Sequence, residues 1–121
     1  MVDKVNLMDK FALFDTQWSP KIIGQMNDSH LKIAKLQGEF VWHKHDDTDE
    51  VFFTIKGSLI MHFRDKDVTV GEGELIVVPK GVEHKPESID ECWVVLFEKT
   101  GTLNTGDAEE EDRTRHELDW I

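Results

Sequence analysis

Three side chains able to hold a metal ion fall within eight residues of this chain. In the stretch GEFVWHKHDDTDEVFFTIKG, Gly38 to Gly57, His43 and His45 stand one residue apart, and Glu50 follows five residues after the second histidine. Side chains alternate faces along a strand. A strand over FVWHKH therefore presents Val41, His43 and His45 on one side and Phe40, Trp42 and Lys44 on the other. With Asp46–Asp49 as a four-residue hairpin loop, His45 and Glu50 oppose each other, and facing Cβ atoms lie about 5 Å apart. The same register faces His43 to Phe52 and Val41 to Thr54. Two imidazoles and one carboxylate suit one divalent transition metal (Fe, Mn, Ni, Co or Zn) better than Ca or Mg. His84, which follows the apolar run LIVV and the turn Pro79-Lys80-Gly81, is a fourth candidate, because a histidine at the end of a barrel strand can aim inward.

The elements that must position these residues read as strands. KIIGQM is followed by a turn at Asn27-Asp28-Ser29, and LKIAKLQ alternates Leu31, Ile33 and Lys35 against the rest. VFFTIK, SLIMHF, VTV, ELIVV and CWVVLF follow, separated by Gly57, the charged turn Arg64–Asp67, Gly71-Glu72-Gly73 and Pro79-Lys80-Gly81. Short strands with turn signals about every ten residues predict an all-β sandwich or barrel. Residues 3–14 form a short amphipathic helix or an irregular arm, with Leu7, Met8, Phe11 and Phe14 on one side. Beyond Phe97 the chain turns polar. The acidic run DAEEED at 107–112 reads as a solvated loop, and the apolar residues of Leu118-Asp119-Trp120-Ile121 dock back on the barrel or on a partner subunit.

Bulk properties narrow the partners. At 121 residues the chain makes one domain, with a barrel core over about 21–98 and an acidic tail over 99–121. A net charge of −11 repels nucleic-acid phosphates and anionic headgroups, so neither nucleic acid nor a membrane is an expected partner. One cysteine, Cys92, excludes an intrachain disulfide and fits a reducing compartment. The N-terminus MVDKVNLMDKFALF lacks the apolar run of a signal peptide, so the expected location is cytoplasmic. GEG at 71–73 is a hairpin turn with no following helix, so it is not a nucleotide motif.

Two sets of residues carry a family resemblance. Gly38, His43, His45, Glu50 and Gly57, then Gly73, Pro79, Gly81 and His84, resemble the two motifs of the cupin superfamily over about residues 30–98. The tail EKTGTLNTGD, Glu98 to Asp107, is similar to that of small single-domain cupins. The resemblance implies a double-stranded β-helix, the cupin jelly-roll barrel, with short N- and C-terminal extensions. It also implies a homodimer and one metal held by three histidines and a glutamate, which assigns His43, His45, Glu50 and His84 as ligands.

An ion with four protein ligands keeps one or two positions open for water, dioxygen or a chelating small molecule. The expected function is metal-assisted chemistry on a small oxygenated metabolite, of isomerase, lyase or dioxygenase type. A non-catalytic module that binds a small ligand is the alternative. Val41, Phe52, Thr54 and Met61, with Leu59, are the expected pocket lining, mostly apolar and without a basic anchor; Lys56 pairs with Glu39 at the rim. His30, His62 and His116 read as surface residues, Cys92 as a buried inert thiol, and Trp42 and Trp93 as packing residues.

Overall fold

A computed structural model describes residues 2–121. A short helix, α1 (Leu7–Phe11), precedes seven strands: β1 (Lys21–Met26), β2 (Ser29–Glu39), β3 (Glu50–Lys56), β4 (Leu59–Phe63), β5 (Asp67–Val70), β6 (Leu75–Val78) and β7 (His84–Lys99). All pairings between these strands are antiparallel, in the order β1-β2-β7-β3-β6, with β4 joining β7 and β5 joining β4. This is the jelly-roll-like topology expected of the sequence. The spine is β7, whose 16 residues serve two neighbourhoods. Its first half lies between β4 and the end of β2, pairing Phe63 with His84 and Glu39 with Glu87. Its second half lies between β2 and β3, pairing Ile33 with Val95 and Phe52 with Leu96.

Alternation along the strands sorts side chains into two cores. Ala34, Leu36, Phe52, Leu59, Met61, Val94 and Leu96 fill the interior of the roll. Ile33 and Val95, on the opposite faces of the same strands, pack outside against Phe11, with Leu7, Phe14, Trp93 and Ile121 around them. The outer core explains the two chain ends. Asn6 caps α1 by accepting the Asp9 amide at 3.0 Å, and the helix lays the Phe11 ring on Trp93 with centroids 4.8 Å apart. Ile22 and Trp120 form a parallel bridge that docks the C-terminus on β1, and Lys10 Nζ donates to the Ile121 carbonyl. Of the predicted amphipathic face, Leu7, Phe11 and Phe14 pack inward, whereas Met8 is exposed.

Three expectations are corrected. FVWHKH is not a regular strand: both edges of β3 are already occupied, by β6 (Glu50↔Val78) and β7 (Val51↔Phe97), so no edge is left for a hairpin partner. The expected facing pairs His45–Glu50, His43–Phe52 and Val41–Thr54 are therefore not strand pairs. The rim pair is also different: Lys56 lies over the Trp93 ring at 4.4 Å, while Glu39 meets Lys85 at 3.4 Å. The alternation expected of LKIAKLQ is present: Ala34 and Leu36, with the buried Lys32 in the same register, turn to the interior of the roll, while Ile33 belongs to the outer core.

Gly57, between β3 and β4, has φ +83°, and a Cβ built there would sit 2.8 Å from the Glu91 carbonyl oxygen. Glycine is required by that approach as much as by the turn. No helix among the described residues is long and apolar enough to cross a membrane.

Cys92 is fully buried on the inner face of β7, and burial pushes its thiol up to about 11. Since the thiolate is the reactive form, a thiol reagent at pH 8 is expected to leave the native protein unmodified and to label one site after denaturation. Rapid labelling of native protein would contradict this placement.

Candidate metal centre

The two histidines of the first motif sit on the irregular segment between β2 and β3, and its shape comes from hydrogen bonds on both sides. On one side, Phe40 N donates to Pro86 O at 2.9 Å, and His43 and His84 exchange backbone bonds at 3.0 and 2.8 Å. Gly81 N donates to the His45 carbonyl at 2.8 Å. On the other side, Lys44 N donates to Asp107 Oδ1 at 2.8 Å and Asp107 N to Lys44 O at 3.1 Å. The segment thus has no strand partner in β3 but is pinned between the start of β7 and the C-terminal tail.

The tail is therefore not wholly a solvated loop. Thr105 is fully buried, and Gly106 packs so closely that a Cβ there would overlap the Lys44 carbonyl oxygen and lie 3.0 Å from His43 Cδ2. Arg113 lies 4.9 Å over the Phe40 ring and donates to the Glu39 carbonyl at 2.7 Å. Of the acidic run, Glu109, Glu110 and Asp112 do face solvent, while Glu111 is engaged with Arg113.

Glu50 opens β3 and His84 opens β7, so strand alternation turns both side chains into the roll. Donor atoms of His43, His45, Glu50 and His84 lie within 4.8 Å of one another, and all four residues are buried. Glu50 Oε1 is 3.3 Å from His45 Nε2 and 3.4 Å from His84 Nε2. His43 Nδ1 sits 2.8 Å from the Val41 carbonyl and His84 Nδ1 2.9 Å from the Val82 carbonyl. A carbonyl can only accept, so each Nδ1 carries the proton and each Nε2 keeps its lone pair for the cluster.

Electrostatics prepare the same donors. Burial, with the neighbouring His84, lowers His43 to about 4, so its ring is neutral at physiological pH. Burial alone would raise Glu50, but the His45 and His84 rings, which attract the carboxylate whenever their Nε2 carries a proton, outweigh it and hold the carboxyl below its ordinary range. His45 Nε2, Glu50 Oε1 and His84 Nε2 are shut off from solvent and have no hydrogen-bond partner. Orphaned polar atoms are costly in an apolar interior, and converging ones fit a bound cation. The four residues form a potential metal-binding cluster.

One neighbour escaped the sequence reading. Glu98, near the end of β7, is buried and accepts from the buried Lys32 ammonium at 2.9 Å. Its other oxygen, Oε2, has no partner and faces His45 Nε2 at 4.0 Å. Burial and the nearby Glu50 charge push Glu98 up, and Lys32 opposes them. The signal was the parity of Cys92, Val94, Leu96 and Glu98 on β7, a face that runs on one residue past the apolar stretch.

Beside the cluster lies a cavity of about 40 Å³, lined by Leu36, Phe40, Phe52, Leu96 and Trp18 with His43, Glu50, Glu98 and Asn104. Of the expected lining residues, Phe52 is there; Val41, Thr54 and Met61 are not. Thr54 and Met61 are fully buried in the core, where the Thr54 hydroxyl donates to Val70 O at 3.0 Å, and Val41 packs against that core. Trp42 lies away from the cavity under the Arg64 guanidinium, 3.8 Å from its ring. His30 meets Trp120 edge-on, His62 lies between Asp67 and Glu87, and His116 contacts Glu110, all outside the cluster.

Comparison with known proteins places this architecture. A family model described as "Cupin domain" matches residues 30–97. A crystal structure of a cupin-2 domain containing protein from Shewanella frigidimarina is 50% identical, covering 78% of this chain and 93% of that one, with TM-score 0.78. A crystal structure of a Neisseria meningitidis protein is 35% identical over 81% of this chain and all (100%) of that one, with TM-score 0.75. An uncharacterized protein of Bacillus subtilis is 36% identical over 67 residues; this chain spans 59% of the length of that curated relative.

Two outcomes follow from the buried charges. Removing one member of a buried ion pair costs about 3–5 kcal/mol, whereas replacing both by apolar residues is near neutral. Glu98→Leu alone should therefore lower denaturant stability strongly, and Lys32→Met with Glu98→Leu should restore most of it. For His43, the unfolded ring takes up a proton near 6.5 that the folded ring refuses until about 4. Its contribution to stability is thus present above 6.5 and lost as pH falls toward 4. Chemical denaturation of metal-free protein across that window should show a weaker pH dependence in His43→Gln than in the parent; equal slopes would contradict the assignment.

Proposed function

The chain belongs to the cupin domain family, and from that premise we propose that it holds one divalent transition metal through His43, His45, Glu50 and His84 and uses it on a small oxygenated metabolite. The observation that carries this reading is the convergence of His45 Nε2, His84 Nε2 and Glu50 Oε1, all buried and all without a partner. Three imidazoles and a carboxylate are the donor set of Fe, Mn, Ni, Co or Zn. A closed structural zinc site would be thiolate-rich, and the one cysteine, Cys92, lies elsewhere in the core. When bound, the metal supplies Lewis acidity, and a redox-active ion supplies electron transfer as well.

The chain's own residues do the rest. The Val41 and Val82 carbonyls hold the Nδ1 protons of His43 and His84 and so aim both Nε2 atoms. Leu36, Phe40, Phe52 and Leu96 exclude bulk water from the cavity beside them. No lysine or arginine lines that cavity. This supports a small ligand of low charge over a sugar phosphate, whose phosphate would call for a basic clamp. The volume of about 40 Å³ supports the same preference.

The reaction is of isomerase, lyase or dioxygenase type; dioxygenation needs a redox-capable ion, and isomerisation does not. A non-catalytic metabolite-binding role is the second reading, favoured by the small size of the cavity and separated from the first by turnover. The same proposal includes a homodimer in the cytoplasm, supported by the exposed Leu75 and Val77 on the edge strand β6 and by the single buried cysteine.

Elemental analysis of protein purified without added metal is expected to give about one equivalent per chain. His84→Ala and His43→Ala should each lower metal affinity by at least the ~10–100-fold that loss of an outer partner costs. Full metal content in either variant would sink the ligand assignment. Oxygen uptake with catechols, enediols and keto acids, set against isomer formation without uptake, then separates the reaction types.

A further inference from the structure

Lys32 and Glu98 are both 2% exposed at their side chains, sit on adjacent strands and close an ion pair of 2.9 Å beside the four-residue cluster. As a stabilising device this pair is weak, since two apolar residues would serve the fold as well. What it adds is orientation. Lys32 occupies one carboxylate oxygen, Oε1, and fixes the plane of the group. The second oxygen, Oε2, is buried, has no partner, and stands 4.0 Å from His45 Nε2. Glu98 also lines the cavity together with His43 and Glu50. The donor group within 4.8 Å does not include it, so Glu98 lies beside the cluster without belonging to it.

We infer that Glu98, held by Lys32, is a specificity-determining residue: its Oε2 accepts a hydrogen bond from a hydroxyl group on a small ligand bound at the metal's open position. This rests on the metal-binding role proposed above. Three features of the site carry it. The pair is charge-neutral overall, so it adds direction without adding charge. The cavity that Glu98 lines carries Ala34, Leu36 and Leu96 among its apolar walls, and Oε2 has no hydrogen-bond partner in the protein. A carboxylate oxygen buried without a donor is costly, and a ligand hydroxyl relieves that cost where an ether or a methyl group cannot. The ligand class is a small α-hydroxy oxygen donor that keeps its hydroxyl proton when it chelates.

The test uses the Co(II)-loaded full chain, with glycolate and methoxyacetate as probes followed by the visible Co(II) absorption. Both probes chelate through the same two oxygens, and only glycolate donates. A hydrogen bond to a charged acceptor predicts that the parent protein binds glycolate at least about tenfold more tightly. Lys32→Met with Glu98→Leu, which keeps the core apolar and folded, should bring that ratio below about threefold while Co(II) affinity changes little. In Glu98→Gln, Lys32 claims the amide oxygen and turns the NH2 group toward the cavity, so the preference should fall there too.

A parent ratio near one overturns the inference, as does an unchanged ratio in the double variant. Loss of Co(II) binding by roughly a hundredfold in the double variant would make Glu98 a metal ligand instead, which also overturns it. A parent chain that binds no Co(II) would fail earlier, at the metal-binding reading itself.

Discussion

The structure of the site depends on one reciprocal backbone contact, the two-way bridge between His43 and His84. β3 has no free edge, so the segment carrying His43 and His45 cannot join the sheet through the hairpin that its spacing suggests. The bridge supplies the missing pairing at a single residue. It places the two rings 4.3 Å apart, and each ring then anchors its own Nδ1 on the carbonyl two residues before it. Two histidines 41 positions apart in the chain are thereby given the same tautomer by the same local device. Gly106 and Asp107 close on the opposite side of the segment, where no larger residue than glycine would fit against Lys44 and His43. A segment without regular secondary structure is held as firmly as a strand.

That rigidity has an energetic cost that the rest of the fold must offset. Three buried donor atoms without partners oppose folding by about 1–3 kcal/mol each. Filled inner and outer cores on the two faces of the same strands supply the compensation. The outer core matters here because it is built largely from the chain ends: Phe11 and Ile121 cover Trp93 and Val95, leaving the inner face free to carry polar groups. Strands covered on both faces can place a glutamate and three histidines inside the roll and still be paid for by packing behind them.

How much of this was legible depends on the range of the interaction. His43, His45 and Glu50 could be read together because they are close in sequence and their residue types are uncommon on apolar faces. The fold class followed from strand-length runs between turn residues. The pairing could not be read: β3 meets β7 across 37 to 46 positions, and hairpin spacing pointed instead to the nearest neighbour. His43, His45 and Glu50, which do cluster, were therefore brought together through an incorrect register. Lys32 and Glu98 were missed for a different reason. A charged residue normally marks an exposed position, so the alternation read in β2 did not mark Lys32 as an inward residue, and β7 was ended at Phe97. Each charge made the other acceptable inside, and only the tertiary pairing shows it.

The charge balance of the interior bears on what the site accepts. Lys32 pairs with Glu98 and opposes the upward push on that carboxyl, while the ionised group of the cluster itself is Glu50, held low by the rings of His45 and His84. No lysine or arginine lines the cavity to answer it. A lone carboxylate in such surroundings favours a cation, and a divalent ion leaves one positive charge in excess. Through the apolar wall formed by Phe40, Phe52 and Leu96, that excess is poorly screened by solvent. On the proposed metal-binding reading, the ligand that would restore neutrality is a small monoanion with oxygen donors. A neutral molecule leaves the excess in place, and a dianion reverses it without a basic residue nearby. The fold alone would host many reactions; the count of buried charges narrows the ligand more than the barrel does.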